Sequence, residues 1–322
     1  MWILIALIAY FANALVYVAD KFILSKKIHS SITYAFFVGI WSFFNLILLF
    51  LDPWFPTWPE LLLDLTAGIV YLLTLVFWYK ALHQSEATRV VPIVGALIPI
   101  CSFVLSFIFL GESLTERQFL AFLILIVGGV LISVKHTRFY MFKEFKNRLK
   151  NVFGDLLGSI HAQYRPTKRL IINSLVSAFF FAAYYVLIKY IYNNQPFIGS
   201  FVWSRMGSFL GALFILLAPN WRHAIIKYQK GKKTPKNLLF FFGVRILAGV
   251  AFIILNWAVS MGNVSLINSL QGAQYIFLMI IMFVISTKYP KIIKEELGQG
   301  VWMQKCLGTI LVTIGLYMLI IK

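Results

Sequence analysis

Acidic side chains are rare in this sequence: 11 Asp and Glu stand against 29 Lys and Arg in 322 residues. Charged residues make up only 12% of the chain, about half of what a soluble domain carries. An ordinary soluble domain is therefore excluded. Cysteine is nearly absent too. Cys101 and Cys306 both fall in apolar stretches, with no histidine at metal-ligand spacing. That excludes a zinc module and leaves packing as their role. The five histidines (His29, His83, His136, His161 and His223) are scattered in or near connections. No HExxH, GxSxG, P-loop or CxxC pattern occurs, so neither an enzyme nor a cofactor is expected, and ATP-driven work would need a separate subunit.

Long apolar runs are what the chain has instead. It is 61% hydrophobic, with mean hydropathy +0.84. A bilayer core of about 30 Å takes about 20 apolar residues to cross as a helix, and each helix must satisfy its own backbone groups. Such runs occupy 2–24, 31–51, 61–83, 88–110, 116–135, 170–192, 197–218, 237–260, 264–287 and 300–321. The expected fold is an all-α membrane protein of ten transmembrane helices. The first run has no basic n-region and is too long for a signal-peptide core, so it is expected to remain as a helix.

The formal charge of +18 does not point to nucleic acid, because the basic residues sit mostly between spans. Counting helix-end residues with their loop, the odd-numbered loops hold 23 Lys and Arg and the even-numbered loops hold only Arg117. The positive-inside rule then predicts cytoplasmic odd loops and outward-facing termini. The second loop, Asp52–Glu60, with its tryptophans, prolines and acids, suits the outer interface. In the long connector 136–169, Phe142, Phe145, Leu149, Val152, Leu156 and Ile160 recur every three or four residues, with Lys143, Lys146, Arg148 and Lys150 largely off that stripe. This pattern predicts an amphipathic helix lying in the cytoplasmic interface.

The chain repeats itself once. Tyr17 and Lys21 correspond to Tyr185 and Lys189, Gly39 to Gly207, and Gln118 with Gly129 to Gln304 with Gly315. Residues 1–135 form the first five-helix copy, 136–169 the connector, and 170–322 the second copy. Because five is odd, the copies must be inverted relative to each other, the organisation that lets a transporter rock about a central site. The run Trp78-Tyr79-Lys80-Ala81-Leu82, then Ser85, Ala87, Pro92 and Pro99, then Leu110-Gly111-Glu112-Ser113-Leu114-Thr115 with Gln118 and Gly128-Gly129, resembles one EamA repeat of the drug/metabolite transporter superfamily. The second copy is weaker: Asn256-Trp257-Ala258 and Asn263-Val264-Ser265 match by position, and the prolines are missing. The resemblance implies a ten-helix secondary transporter, acting as exporter of a small organic metabolite in a bacterial or archaeal cell membrane. It also implies cytoplasmic termini, and here the loop charge predicts the opposite.

Cations within spans are costly and usually face a cavity or a partner. Lys189, Arg205, Arg245 and Lys305 lie within spans, and Arg205 and Arg245 are too deep to snorkel. Lys21 and Lys80 are nearer helix ends, where snorkelling suffices. The acids Asp20 and Glu86 also lie near helix ends. Small multidrug relatives of the superfamily use a membrane-embedded glutamate, so its lack here disfavours a cation/proton antiporter and favours an anionic or zwitterionic substrate held by arginine. The ninth run carries Asn268, Ser269, Gln271, Gln274 and Tyr275, preceded by Asn263 and Ser265. These could form a cavity wall or simply join helices. Trp78, Tyr79 and Trp257 are further candidate substrate-binding residues. The expected partners are a small-molecule substrate and the lipid bilayer. Two other readings stay open: a membrane-embedded enzyme or flippase component acting on a phosphate-bearing lipid, and a non-transporting membrane scaffold.

Overall fold

The computed structural model describes residues 1–26, 31–84, 87–133, 168–229, 235–288 and 299–321. The connector helix expected within 136–169 and Glu86 lie outside the described residues. Among the described residues there are helices and no strands. They are α1 (Trp2–Lys26), α2 (Ser31–Trp41) continuing into a 3₁₀ segment (Ser42–Phe50), α3 (Trp58–Gln84), α4 (Ala87–Leu110), α5 (Glu116–Ser133) and α6 (Lys168–Asn194). There follow α7 (Phe197–Ile215), α8 (Pro219–Gln229), α9 (Pro235–Met261), α10 (Val264–Ser269), α11 (Gln271–Lys288) and α12 (Gln299–Ile320).

Seven helical stretches among these residues are long and apolar enough to cross a membrane, and Val94–Leu110 and Gln304–Ile320 are shorter apolar helices. Large apolar side chains such as Phe107, Ile108 and Phe109 are exposed on the bundle's outside, where lipid replaces water as the solvent. The protein is an integral, multi-pass membrane protein.

The family-like motifs of the first copy have a local physical meaning. Gly111, at φ 64°, takes the left-handed conformation just after α4 ends. Thr115 and Gln118 form a capping box before α5: Gln118 Oε1 accepts from Thr115 N at 3.0 Å, and Gln118 N donates to Thr115 Oγ1 at 3.3 Å. Thr57 and Glu60 cap α3 in a related way, with Thr57 N and Oγ1 both donating to Glu60 Oε2, at 2.8 and 2.7 Å. These residues shape turns.

Three features differ from the sequence reading. The second run changes pitch at Ser42, where side chains enter the ladder: Ser42 Oγ donates to Val38 O at 3.2 Å and Asn45 Nδ2 to Ser42 O at 2.9 Å. The ninth run is broken at Leu270 into α10 and α11, with Asn263 capping the first piece by accepting from Ser265 N and Leu266 N. The loop expected at 219–236 begins with the helix α8, which buries Ile225 and leaves Trp221, Arg222 and His223 exposed.

Packing rests on small residues, as it must where lipid removes the hydrophobic drive between helices. α3 crosses α7 backbone to backbone. A Cβ on Gly68 would collide with Ser204 O, and one on Gly207 with Leu65 O. Ser208 Oγ donates to Gly68 O at 2.8 Å across the same crossing. α1 packs on α9 and α11, α6 on α3 and α4, and α5 on α12.

Candidate functional site

The crossing of α3 and α7 leaves a gap on its far side, because α9 leans on α1 and makes little contact with α7. The gap is a cavity of about 420 Å³. Its polar lining is Asn13, Ser42, Asn45, Tyr71, Tyr79, Arg205 and Arg245, and among the described residues no acid is on its wall. The 3₁₀ pitch builds one side. With three residues per turn, Ser42, Asn45 and Leu48 stack in one row on the wall. Phe44, Ile47 and Phe50 stack in a neighbouring row that is exposed on the outside of the bundle.

Arg205 is 3% exposed and lies within α7, where no helix end is in reach. Aromatic rings surround its guanidinium: Tyr71 at 4.3 Å, Phe252 at 4.7 Å, and Tyr184 and Phe201 at 5.6 Å each. Ring faces stabilise a desolvated cation by up to about 2 kcal/mol. One nitrogen donates to Tyr184 Oη at 3.1 Å, while Nε has no hydrogen-bond partner among the described residues. No described carboxylate pairs with it. Arg245, on α9, reaches the same wall with its guanidinium 5.1 Å from the Tyr34 ring. Both arginines act electrostatically on Tyr71. Tyr34 in turn packs edge-on against Tyr79 at 4.6 Å.

A buried polar chain runs back from Arg205. Asn256 Oδ1 accepts from Tyr184 Oη and Tyr192 Oη, each at 3.1 Å, and its amide donates to Phe252 O at 2.9 Å. Asp64, on α3, has no exposed surface. With its amide turned toward the carboxylate, Gln195 donates to both Asp64 oxygens at 3.0 and 3.2 Å. Sequence reading did not single out Asp64, which sits near the start of its run rather than in its middle. Its signal was a lone acid with apolar residues on both sides.

The other predicted residues sit elsewhere. Trp78 packs edge-on against Phe181, at 6.2 Å, and Trp257 is exposed on the outer surface. Asn268 Nδ2 donates to Ser102 Oγ at 2.8 Å, and Ser265 Oγ lies 3.0 Å from Ser106 Oγ, so this segment joins α10 to α4. Tyr275 is buried against Gly95, with Gln271 nearby. Gln274 is half-buried on α11. None of these seven predicted residues (Trp78, Trp257, Ser265, Asn268, Gln271, Gln274 and Tyr275) lies on the wall that holds the arginines. Lys189 is tied to the far end of the bundle, donating to Ser260 O at 2.9 Å beside Glu112. Glu112, in the loop after α4, has its carboxyl pushed up by burial, and Lys189 only partly offsets this. Lys305 is half-buried on α12, and Lys80 lies over the Phe77 ring.

Residues 1–134 match the model of the EamA-like transporter family. No curated protein matches the chain. Among the solved chains that do match, one described as "Crystal structure of protein" superposes with a TM-score of 0.63 at 14% identity. The match covers 98% of this chain and 94% of that one. At that identity the likeness speaks for the fold alone.

Proposed function

We propose that this protein, whose residues 1–134 belong to the EamA-like transporter family of the drug/metabolite transporter superfamily, is a secondary transporter that exports a small anionic or zwitterionic organic metabolite. The observation that carries the reading is the cavity itself: two arginines on its wall and, among the described residues, no acid. Arg205 anchors one nitrogen on Tyr184, and its Nε remains for a substrate oxygen. Guanidinium groups fork onto carboxylate or phosphate with charge-assisted hydrogen bonds. The aromatic rings exclude water from the guanidinium and so strengthen that attraction.

Transport proceeds by alternating access between two inverted halves of five spans, 1–135 and 170–322, making ten spans in all. Helix pairing supports this. If α6, α7, α9, the α10–α11 pair and α12 are the counterparts of α1, α2, α3, α4 and α5, the pairing of α1 with α9 mirrors that of α6 with α3. The pairing of α1 with α11 likewise mirrors that of α6 with α4. The exception is informative. α3 packs tightly on α7, whereas its counterpart α9 stands off the second span and leaves the cavity. The opposite state closes α9 on the second span and opens α3 from α7. Both termini face outward, as the loop charge predicts.

The test is counterflow of radiolabelled organic anions and neutral metabolites in proteoliposomes. Wild type accumulates a labelled anion against its unlabelled excess. Arg205→Gln lowers the rate by roughly ten- to a hundredfold, the worth of one charged hydrogen bond, and Arg205→Lys restores little, because the planar fork is lost. Counterflow of neutral solutes alone, indifferent to Arg205, overturns the reading.

A further inference from the structure

The cavity also has a side. Phe44 and Ile47 on the 3₁₀ segment, and Ile246 and Val250 on α9, all line it. The same four are 61%, 67%, 62% and 45% exposed on the outer surface of the bundle. A residue that both lines a cavity and faces outward is a rim. These rims belong to two helices, the 3₁₀ segment and α9, that make little or no contact with each other among the described residues. Trp41 and Phe242, with ring centroids 5.1 Å apart, close the seam at one end. Between the rims Gly249 faces open space: a Cβ there would meet nothing within 4 Å. In a membrane-spanning bundle an apolar rim of this kind opens into hydrocarbon, whereas a path for a water-soluble solute would be edged by polar groups.

We infer that the cavity takes an anionic amphiphile, its oxyanion head on Arg205 and Arg245 and its single alkyl chain leaving through the seam between the 3₁₀ segment and α9 into the bilayer. This rests on the transporter reading above and names its substrate class. The chemistry supports each part. The head needs a cation that is shielded from water, which ring-lined Arg205 supplies, with Arg245 on the same wall. The tail needs an exit with no polar edge, which the four rim residues supply. A free oxyanion would use the same arginines and leave the seam idle.

The experiment measures binding to the full-length protein in an uncharged maltoside detergent by native mass spectrometry. The probes are dodecyl phosphate, inorganic phosphate and dodecanol. Wild type is expected to bind dodecyl phosphate at least about tenfold tighter than inorganic phosphate, since two buried methylenes already account for that ratio, and at least about tenfold tighter than dodecanol, the worth of one charge-assisted hydrogen bond. Arg205→Gln lowers dodecyl phosphate affinity tenfold or more and leaves dodecanol unchanged. Gly249→Trp fills the seam and brings the ratio of dodecyl to inorganic phosphate affinity down to about one. Ile246→Trp, at an exposed rim position, is a second plug that does not disturb the core. Inorganic phosphate that binds as tightly as dodecyl phosphate, with the ratio untouched by either plug, overturns the inference and leaves a transporter of free anions. Dodecyl phosphate binding indifferent to Arg205 overturns the placing of the head.

Discussion

Replacing Gly68 with alanine adds one methyl group at the tightest point of the bundle. The new Cβ would meet Ser204 O, would stand 2.5 Å from Ser208 N and 2.8 Å from Gly207 C, and all three are backbone. Optimal separation for carbon pairs is about 3.5–4.0 Å, so α3 and α7 must part by about 1 Å. No side chain can turn aside to spare them. Overpacking of this kind typically costs about 1–3 kcal/mol, and the better helix propensity of alanine returns about 0.5–1 kcal/mol. The expected net loss is about 1–2 kcal/mol. Gly243 is the internal control. It has nothing within 4 Å of a Cβ, so the same substitution should stabilise by about 0.5–1 kcal/mol. Unfolding by sodium dodecyl sulfate titrated into maltoside micelles, followed by far-ultraviolet circular dichroism, separates the two. The spread should also reach function, because Tyr71 on α3 lies 4.3 Å from the Arg205 guanidinium on α7. Gly68→Ala unfolding at or beyond the wild-type midpoint would refute the backbone-contact account of this crossing.

Three further outcomes are expected. Burial raises the Glu112 carboxyl, so the native state holds that proton to higher pH than the unfolded chain does. Stability from this group is present at acid pH and falls as pH rises through the raised value. Thermal unfolding of Glu112→Gln across the carboxylate range should lose that downward slope, and an unchanged slope counts against the assignment. Asp64→Asn should keep its pairing with Gln195 and shift the unfolding midpoint little, whereas Asp64→Ala leaves a buried amide unmatched at a cost of about 1–3 kcal/mol; equal midpoints would show the pair to be unimportant. A cysteine at exposed His223, in a background with Cys101 and Cys306 replaced by alanine, should react with an impermeant maleimide only after lysis. Labelling in intact cells would reverse the orientation predicted from loop charge.

How far the molecule could be read in advance depended on how rare each signal is. A cation inside an apolar run is uncommon, so Arg205 and Arg245 stood out from sequence alone. The rings around Arg205 did not, because 17% of the chain is aromatic and only the rotation of each helix decides which ring points inward. Tyr71, Phe201 and Phe252 carried no mark that Trp78 or Trp257 lacked. The amides and hydroxyls from Asn263 to Tyr275 were conspicuous for a different reason. Asn263 caps α10, and Ser265 and Asn268 bond to serines of α4. Polarity in a membrane span marks a need for a hydrogen-bond partner, and another helix meets that need as well as a solute does. Apolar length marked the spans themselves, but not the change of pitch at Ser42 or the break at Leu270, since both preserve the hydrophobic run.

The change of pitch makes the second span a screw. Over the nine residues from Ser42 to Phe50, the difference between 2.0 and 1.5 Å of rise per residue amounts to about 4–5 Å, and the difference between 120° and 100° of turn to about half a revolution. A switch of that segment to α pitch would draw the Asp52–Thr57 loop toward the membrane by nearly one helical turn. It would also rotate the outer part of the segment, so that Ile47 and Phe50 swing toward the arginines and Asn45 and Leu48 swing away. Whether Arg205 faces a wettable wall or a greasy one would then be set by the register of a few backbone hydrogen bonds, with no helix needing to tilt.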